Sequence, residues 1–218
     1  RFGLQNHHHL IALAARARRR ASRVAAAARW YLEPVDYLTM RFTGRAAATH
    51  ASMSGAWLTD NRRLDRLEYD SRLVRRAGLD VAKLPPLLAT GALAGQVLPE
   101  VAADLGLSPG AQVVTGTPDL HSAALGTGAA REGEPHMTIS TTSWISLPFA
   151  RKKTDPLHSI ATVPGLNSHG YLVADNHEAA GLCLRWLRES FHAGEPAAFG
   201  RLLELAAEAA PGSGGVIF

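Results

Sequence analysis

The sequence predicts an α/β fold, because strand and helix patterns alternate along the chain. Residues 113–115 have the β-branched composition of a buried strand. Residues 116–118, Gly-Thr-Pro, then force a tight turn, since glycine tolerates positive φ and proline fixes its own φ. A helix of small residues is predicted at 121–125, and residues 137–140 return to a strand pattern.

The flanking segments carry their own start and stop signals. Pro34 suits the first turn of a helix and Gly44 its end, with apolar residues at 35, 38, 40 and 42 between them. Further helices are predicted at 64–77, 99–105, 179–191 and 199–209, and further strands at 95–98, 144–147, 171–174 and from 214 onward. Leu67, Leu73 and Val74 are expected to face inward, and Asp175 or Asn176 is expected to cap the 179–191 helix.

Length and charge limit the number of domains and the kinds of partner that the sequence is compatible with. A chain of 218 residues holds one large domain or two small ones. The net charge is +4, but residues 1–29 contain seven of the 23 basic residues and no acid. The remainder therefore carries 16 basic against 19 acidic residues, and the basic character belongs to the first segment alone.

That Arg-rich first segment suggests two interpretations. Residues 16–20 could contact nucleic acid or an anionic surface, or they could be arginines on a solvated helix. The second is favoured because aromatic residues are not interleaved with the arginines and no nucleic-acid-binding motif follows, so no nucleic-acid partner is expected. The histidines at 7–9 do not share a helix face, so a metal site is not expected there.

The one cysteine, Cys183, excludes a disulfide within the chain and is expected to be a buried thiol without a catalytic role. No apolar run reaches the length of a membrane span, and no signal peptide pattern is present. We therefore expect a cytoplasmic protein with no membrane partner.

The residues able to carry chemistry lie on both sides of the 121–125 helix. Asp119 falls where strand gives way to helix, a position that presents a carboxylate to a cleft. Thr141, Thr142 and Ser143 form a hydroxyl-rich corner that could donate hydrogen bonds to a phosphate. An acid and a phosphate corner together suggest phosphoryl transfer to an alcohol, with Asp119 accepting the hydroxyl proton. The alternative is that Asp119 only caps a helix and residues 141–143 only form a turn.

This stretch resembles the core of the FGGY carbohydrate kinases, the xylulokinase and glycerol kinase group. The resemblance extends to D-Y-L-T-M-R-F-T-G at 36–44, to S-M-S-G-A-W-L-T-D at 52–60 and to the segment 165–191 with its L-R-W-L-R. It covers residues 30–218, with the motifs in the order of the family.

The resemblance implies an actin-like, ribonuclease H-like ATPase fold of two lobes, both incomplete here. Residues 1–29 are a divergent start, 30–133 the later part of the sugar-binding lobe and 134–218 the earlier part of the nucleotide-binding lobe. It implies ATP and Mg²⁺ as cofactors, a sugar or polyol as substrate, Asp119 as catalytic base and substrate contact, and Thr141, Thr142 and Ser143 as phosphate contacts.

Two residues depart from the family pattern. Leu120 stands where the family has Gln or Asn, so His121 is the alternative donor to the sugar, and Thr141 replaces a glycine of the phosphate corner. Because the first phosphate loop and the adenine segment of the family are absent, this chain alone is expected to be inactive or nearly so. A non-catalytic binding relative and an inactive gene fragment are the alternatives, and whether the chain forms a homodimer stays open.

Overall fold

A computed structural model describes residues 22–167, 170–195 and 197–216. The predictions about the histidines at 7–9, the arginines at 16–20 and the end of the chain at 217–218 lie outside these ranges. The described chain forms two compact units. Unit 1 contains the described residues up to His136 together with Ser146–Ala174, and unit 2 contains Met137–Ile145 and the chain from Asp175 onward.

The described chain mixes helices and strands along its whole length, as the α/β prediction requires. The helices are α1 (Ser22–Ala27), α2 (Pro34–Thr43), α3 (Ser71–Ala77), α4 (Pro99–Leu105), α5 (Asp119–Gly126), α6 (Gly181–Phe191) and α7 (Ala198–Glu208). The strands are β1 (Ala48–Thr49), β2 (Leu87–Leu88), β3 (Leu93–Gln96), β4 (Gln112–Val114), β5 (His136–Ile139), β6 (Ser143–Phe149), β7 (Ala161–Pro164) and β8 (Tyr171–His177).

The strands form three small sheets within the described chain. Strands β1 and β2 pair in parallel, and β3 and β4 pair antiparallel with a register shift between Leu93 and Gly95. The third sheet has the order β5-β6-β8-β7, in which β7 and β8 run antiparallel and Pro164 faces Tyr171. Strand β4 was expected to be buried, but Val114 is exposed, and β4 pairs with β3 in a sheet of two strands.

The core of unit 1 is a cluster of buried apolar side chains. Met53 and Leu58 are fully buried, and burial of side chains of this size stabilises a fold by about 1.5–3 kcal/mol each. Tyr69 packs against the cluster and its hydroxyl donates to the carbonyl of Pro85 at 2.8 Å. The buried members are Ala48, Met53, Ala56, Leu58, Val74, Leu84 and Leu87.

Helix α2 confirms the predicted start and stop signals but buries an unexpected face. Pro34 occupies its first turn, and Gly44 ends it in the left-handed conformation with its N–H donating to the Met40 carbonyl at 2.7 Å. The buried residues are Asp36, Thr39 and Thr43, spaced along one helix face, whereas Leu38 is exposed. The Thr43 hydroxyl is satisfied by the Thr39 carbonyl at 2.8 Å, so its burial leaves no donor unpaired.

The helix predicted at 64–77 begins later, at Ser71. The Asp70 side chain accepts from the N–H groups of Arg72 and Leu73 and so caps the helix there. Of the three residues expected inside, Val74 is buried, and Leu67 and Leu73 are exposed. The local cap therefore overrides the apolar pattern that precedes it.

Unit 2 contains helices α6 and α7, which leave much apolar surface exposed. Trp186 and Phe191 contact each other edge to face at 5.8 Å, and both are exposed. Cys183 is half-buried on α6, less buried than expected. The predicted cap at Asp175 or Asn176 is wrong, because β8 continues to His177 and Ala180 occupies the cap position.

The strand predicted from 214 is a 3₁₀ turn at Ser213–Gly215 in the described part of that stretch. Across the described ranges, each helix is too short or too polar to cross a membrane.

Candidate active site

Asp119 lies where the sequence predicted, at the first turn of α5 directly after the turn that follows β4. Pro118 occupies the cap position, and the Asp119 side chain is exposed. Its Oδ1 accepts the N–H of Leu120 at 2.8 Å. The positive end of the helix dipole favours a carboxylate at this position. The carboxyl group of Asp119 is therefore accessible to a molecule that binds beside the start of α5.

The turn before Asp119 requires glycine for a reason that the sequence did not reveal. Gly116 is not among the glycines with positive φ, so the backbone angle is not what selects it. A Cβ at Gly116 would overlap the Cγ2 of Val35 on α2. The close packing of the turn against α2 therefore excludes a side chain at this position, and the prediction of a positive φ is wrong.

His121 lies two residues after Asp119 but points into the interior of unit 1. Its side chain is 2% exposed, and its Nε2 lies 2.6 Å from the carbonyl oxygen of Pro164 at the end of β7. Burial lowers the pKa of His121, while the bond to Pro164 and the charge of Asp119 act in the opposite direction. The ring is therefore a neutral, buried group, and its predicted contact with a sugar stays a prediction.

The hydroxyl corner forms a tight turn between β5 and β6 in unit 2. The Ser140 N–H donates to the Thr142 carbonyl at 2.8 Å, and Thr141 is exposed while Thr142 and Ser143 are half-buried. Thr141 is not among the residues with positive φ, so its β-carbon adds no backbone strain. The turn thus holds three hydroxyl groups on adjacent residues.

The same turn caps helix α6. The N–H of Gly181 donates to the Ser140 carbonyl at 2.7 Å, and the N–H groups of Ala180 and Leu182 donate to the Thr141 carbonyl at 2.9 and 3.3 Å. A Cβ at Gly181 would lie 2.6 Å from the Ser140 oxygen, so glycine is required there. Because these amides are already paired, a phosphate at this turn would rely on the hydroxyl groups and the amides of the turn itself.

Asp119 and His121 belong to unit 1, and Thr141, Thr142 and Ser143 belong to unit 2. Within the described ranges no group of three or more His, Cys, Asp or Glu side chains could hold a metal ion. Mg²⁺ that is bound with a nucleotide takes most of its ligands from phosphates and water, so a cluster of this kind is not needed for it.

The buried carboxyl of Asp36 was not predicted from the sequence. Asp36 is 2% exposed, and its Oδ2 has no hydrogen-bond partner. Burial raises its pKa from 3.8 to about 7, and the charge of Glu33 also raises it, whereas hydrogen bonds from Ser52 and from the Glu33 backbone lower it. The sequence signal for this burial was the spacing of the polar residues at 36, 39 and 43, which places them on one face of the helix.

Comparison with known proteins shows which family the chain matches. Residues 17–126 match the N-terminal domain of the FGGY family of carbohydrate kinases, about half of the chain. The xylulose kinase of Streptomyces rubiginosus is 34% identical over 130 residues, 59% of this chain and 25% of that protein. The gluconokinase of Bacillus subtilis is 25% identical over 203 residues, 89% of this chain and 39% of that protein.

Solved structures match over more of the chain. The xylulose kinase of Rhodospirillum rubrum superposes with a TM-score of 0.83 at 26% identity, covering 94% of this chain and 41% of that one. A ligand-bound xylulose kinase of Lactobacillus acidophilus gives 0.80 at 20% identity, covering 96% and 41%, and supports the fold alone. The chain therefore spans less than half the length of these relatives.

These matches confirm the α/β, actin-like ATPase fold and the resemblance drawn from the motifs. The family match includes β4, the Gly116 turn and the whole of α5, so Asp119 lies inside the matched region. The lobe boundary predicted between residues 133 and 134 stays a prediction. By the extent of its sequence match, the chain belongs to the FGGY family of carbohydrate kinases.

Proposed function

We propose that this chain is part of an ATP-dependent carbohydrate kinase in which Asp119 is the catalytic base. The observation that supports the proposal most directly is the exposed carboxylate at the start of α5, within the region that matches the family. Asp119 accepts the proton of an acceptor hydroxyl while the oxygen of that hydroxyl attacks the γ-phosphorus of ATP, and ADP leaves with the β–γ bridging oxygen.

Thr141, Thr142 and Ser143 are proposed to donate hydrogen bonds to the phosphates of ATP. Their hydroxyl groups occupy one turn that is fixed by the N-terminus of α6. Mg²⁺, when bound with the nucleotide, neutralises phosphate charge. No residue is assigned to the adenine.

The relatives suggest which acceptors to test. They are named for xylulose, gluconate and autoinducer-2, three hydroxylated small molecules. Leu120 is half-buried and has no hydrogen-bonding side chain, so the amide contact that the resemblance implies is absent at this position. We therefore propose a sugar, polyol or sugar acid as acceptor.

The test is ADP release by the purified chain with Mg-ATP and each acceptor, for the wild type and Asp119→Asn. Removal of a general base lowers turnover by about 10²–10⁴-fold, so the variant is expected to lose acceptor-dependent release. Asp104→Asn is the control, because Asp104 is an exposed aspartate on α4 and should change nothing. Equal turnover of the wild type and Asp119→Asn would reject Asp119 as the base.

A binding relative without turnover is the second candidate, and the departures at Leu120 and Thr141 favour it. It predicts acceptor binding by calorimetry together with no acceptor-dependent ADP release. Binding that is weakened in Asp119→Asn, without release by the wild type, would support this second candidate over the first.

A further inference from the structure

His121 is the large side chain that anchors helix α5. The buried residues of this eight-residue helix are His121 and Ala124, while Asp119, Ser122 and Leu125 are exposed. An alanine offers little surface for packing, so the imidazole supplies most of the buried side-chain surface of α5. The ring lies two residues after Asp119, in the first turn of the same helix.

The contact of His121 is directional. Because the Pro164 oxygen only accepts, the hydrogen of the 2.6 Å bond lies on Nε2 of the imidazole. Burial lowers the pKa of the ring and so favours its neutral form, and Nδ1 is buried without a hydrogen-bond partner. The bond from Nε2 is therefore the hydrogen bond by which the ring ties α5 to Pro164.

The acceptor of this bond is itself firmly placed. Pro164 is the last residue of β7 and pairs with Tyr171 of β8. The next residue, Gly165, donates to the Gly170 carbonyl at 2.8 Å, and a Cβ at Gly165 would lie 2.7 Å from the Gly170 backbone. The bond thus joins α5 to a strand end with little freedom to shift.

We infer that His121 is a positioning residue, which sets the location of Asp119 by tying α5 to the carbonyl of Pro164. This inference rests on the proposed role of Asp119 as the base. It assigns the ring a task different from the predicted sugar contact, because the donor nitrogen is already used and the side chain is buried.

The test compares His121→Gln with His121→Leu in the full chain. Glutamine places an N–H donor at the same distance along the side chain as Nε2 but has no counterpart of Nδ1, whereas leucine has similar bulk and no donor. Leu125→Ala is the control, since it changes the exposed side of the same helix.

The first readout needs no turnover. In chains with ¹³C-labelled aspartate, His121→Leu is expected to shift or broaden the Asp119 carboxyl resonance, which Asp119→Asn identifies. A neutral hydrogen bond is worth about 0.5–1.5 kcal/mol, so amide hydrogen exchange in α5 should quicken by about two- to thirteenfold while α4 stays unchanged. His121→Gln and Leu125→Ala should resemble the wild type in both measurements.

The second readout is kinetic. Misplacement of a catalytic group by about 1 Å lowers the rate by up to about 100-fold. In His121→Leu, kcat should therefore fall by about 10–100-fold, while KM for ATP stays unchanged. In His121→Gln, kcat should return towards the wild-type value. An unshifted Asp119 resonance in His121→Leu, or equal damage in His121→Gln, would overturn the inference. If the wild-type chain, which spans less than half the length of its relatives, shows no turnover, the Asp119 carboxyl resonance alone decides whether His121 positions Asp119.

Discussion

The buried carboxyl of Asp36 should make the stability of unit 1 fall as pH rises. Its pKa is about 7 in the folded chain against an ordinary value of 3.8, so the folded state binds a proton that the unfolded state releases. Below pH 4 both states are protonated and no penalty applies. Between pH 4 and pH 7 the folded state progressively loses this advantage, because the charged form is buried with Oδ2 unpaired.

The size of the effect follows from that difference in pKa. At 1.36 kcal/mol for each pH unit, a difference of about three units corresponds to about 4 kcal/mol when the transition is complete near pH 8. Asp36→Asn is neutral at every pH, so it removes this dependence. The free energy of unfolding of Asp36→Asn minus that of the wild type should therefore rise by about 4 kcal/mol between pH 4 and pH 8.

The measurement is urea unfolding at several pH values, read by a brief hydrogen-exchange pulse at one fixed pH. Peptides covering residues 34–58 report α2 and the core around Met53, both in unit 1. Taking the difference between the two chains removes the contributions of other titrating groups. Asp104→Asn, an exposed change on α4, should give a flat difference. A difference for Asp36→Asn that varies by less than about 1 kcal/mol would refute the reasoning.

Three further changes test other contacts in unit 1. In urea titrations, Gly116→Ala should lower the free energy of unfolding by about 1–3 kcal/mol, because its Cβ meets Val35. Adding Val35→Ala to Gly116→Ala should recover most of this loss. Gly126→Ala is the control and should be near neutral. Asp70→Ala should cost about 1 kcal/mol by removing the cap of α3, visible as faster hydrogen exchange in that helix alone. The pKa of His121 is lowered in the folded chain, so the unfolded state binds the proton more readily. The free energy of unfolding of the wild type should therefore fall as pH drops below 6.5. That of His121→Gln should fall less over the same range.

The elements that the sequence predicted well are those whose signals are local. Pro34 and Gly44 fix the two ends of α2 through backbone geometry alone, and Pro99 and Gly106 do the same for α4. The position of Asp119 followed from the same kind of signal, since a Gly-Thr-Pro turn separates the strand from the helix. Such signals depend on the residue and its immediate neighbours, so they can be recognised in the sequence without knowledge of the fold.

The features that the sequence did not predict depend on distant contacts. The buried polar face of α2 arises because the turn at Gly116 and the strand at Gly95 approach it closely, and neither is near it in the sequence. His121 is held by a residue 43 positions later, so no local pattern distinguishes a sugar contact from an internal tie. The apolar pattern at 64–70 was likewise misleading, because the cap at Asp70 starts α3 after it.

The packing of Val35 against Gly116 should be visible as paired change during divergence. A chain that keeps a branched residue at position 35 leaves no room for a β-carbon at 116, whereas a smaller residue at 35 opens that space. The order of substitution then matters, since a change at 35 must come before one at 116. A library that varies both positions together should therefore recover functional pairs that a scan of single substitutions at 116 would miss.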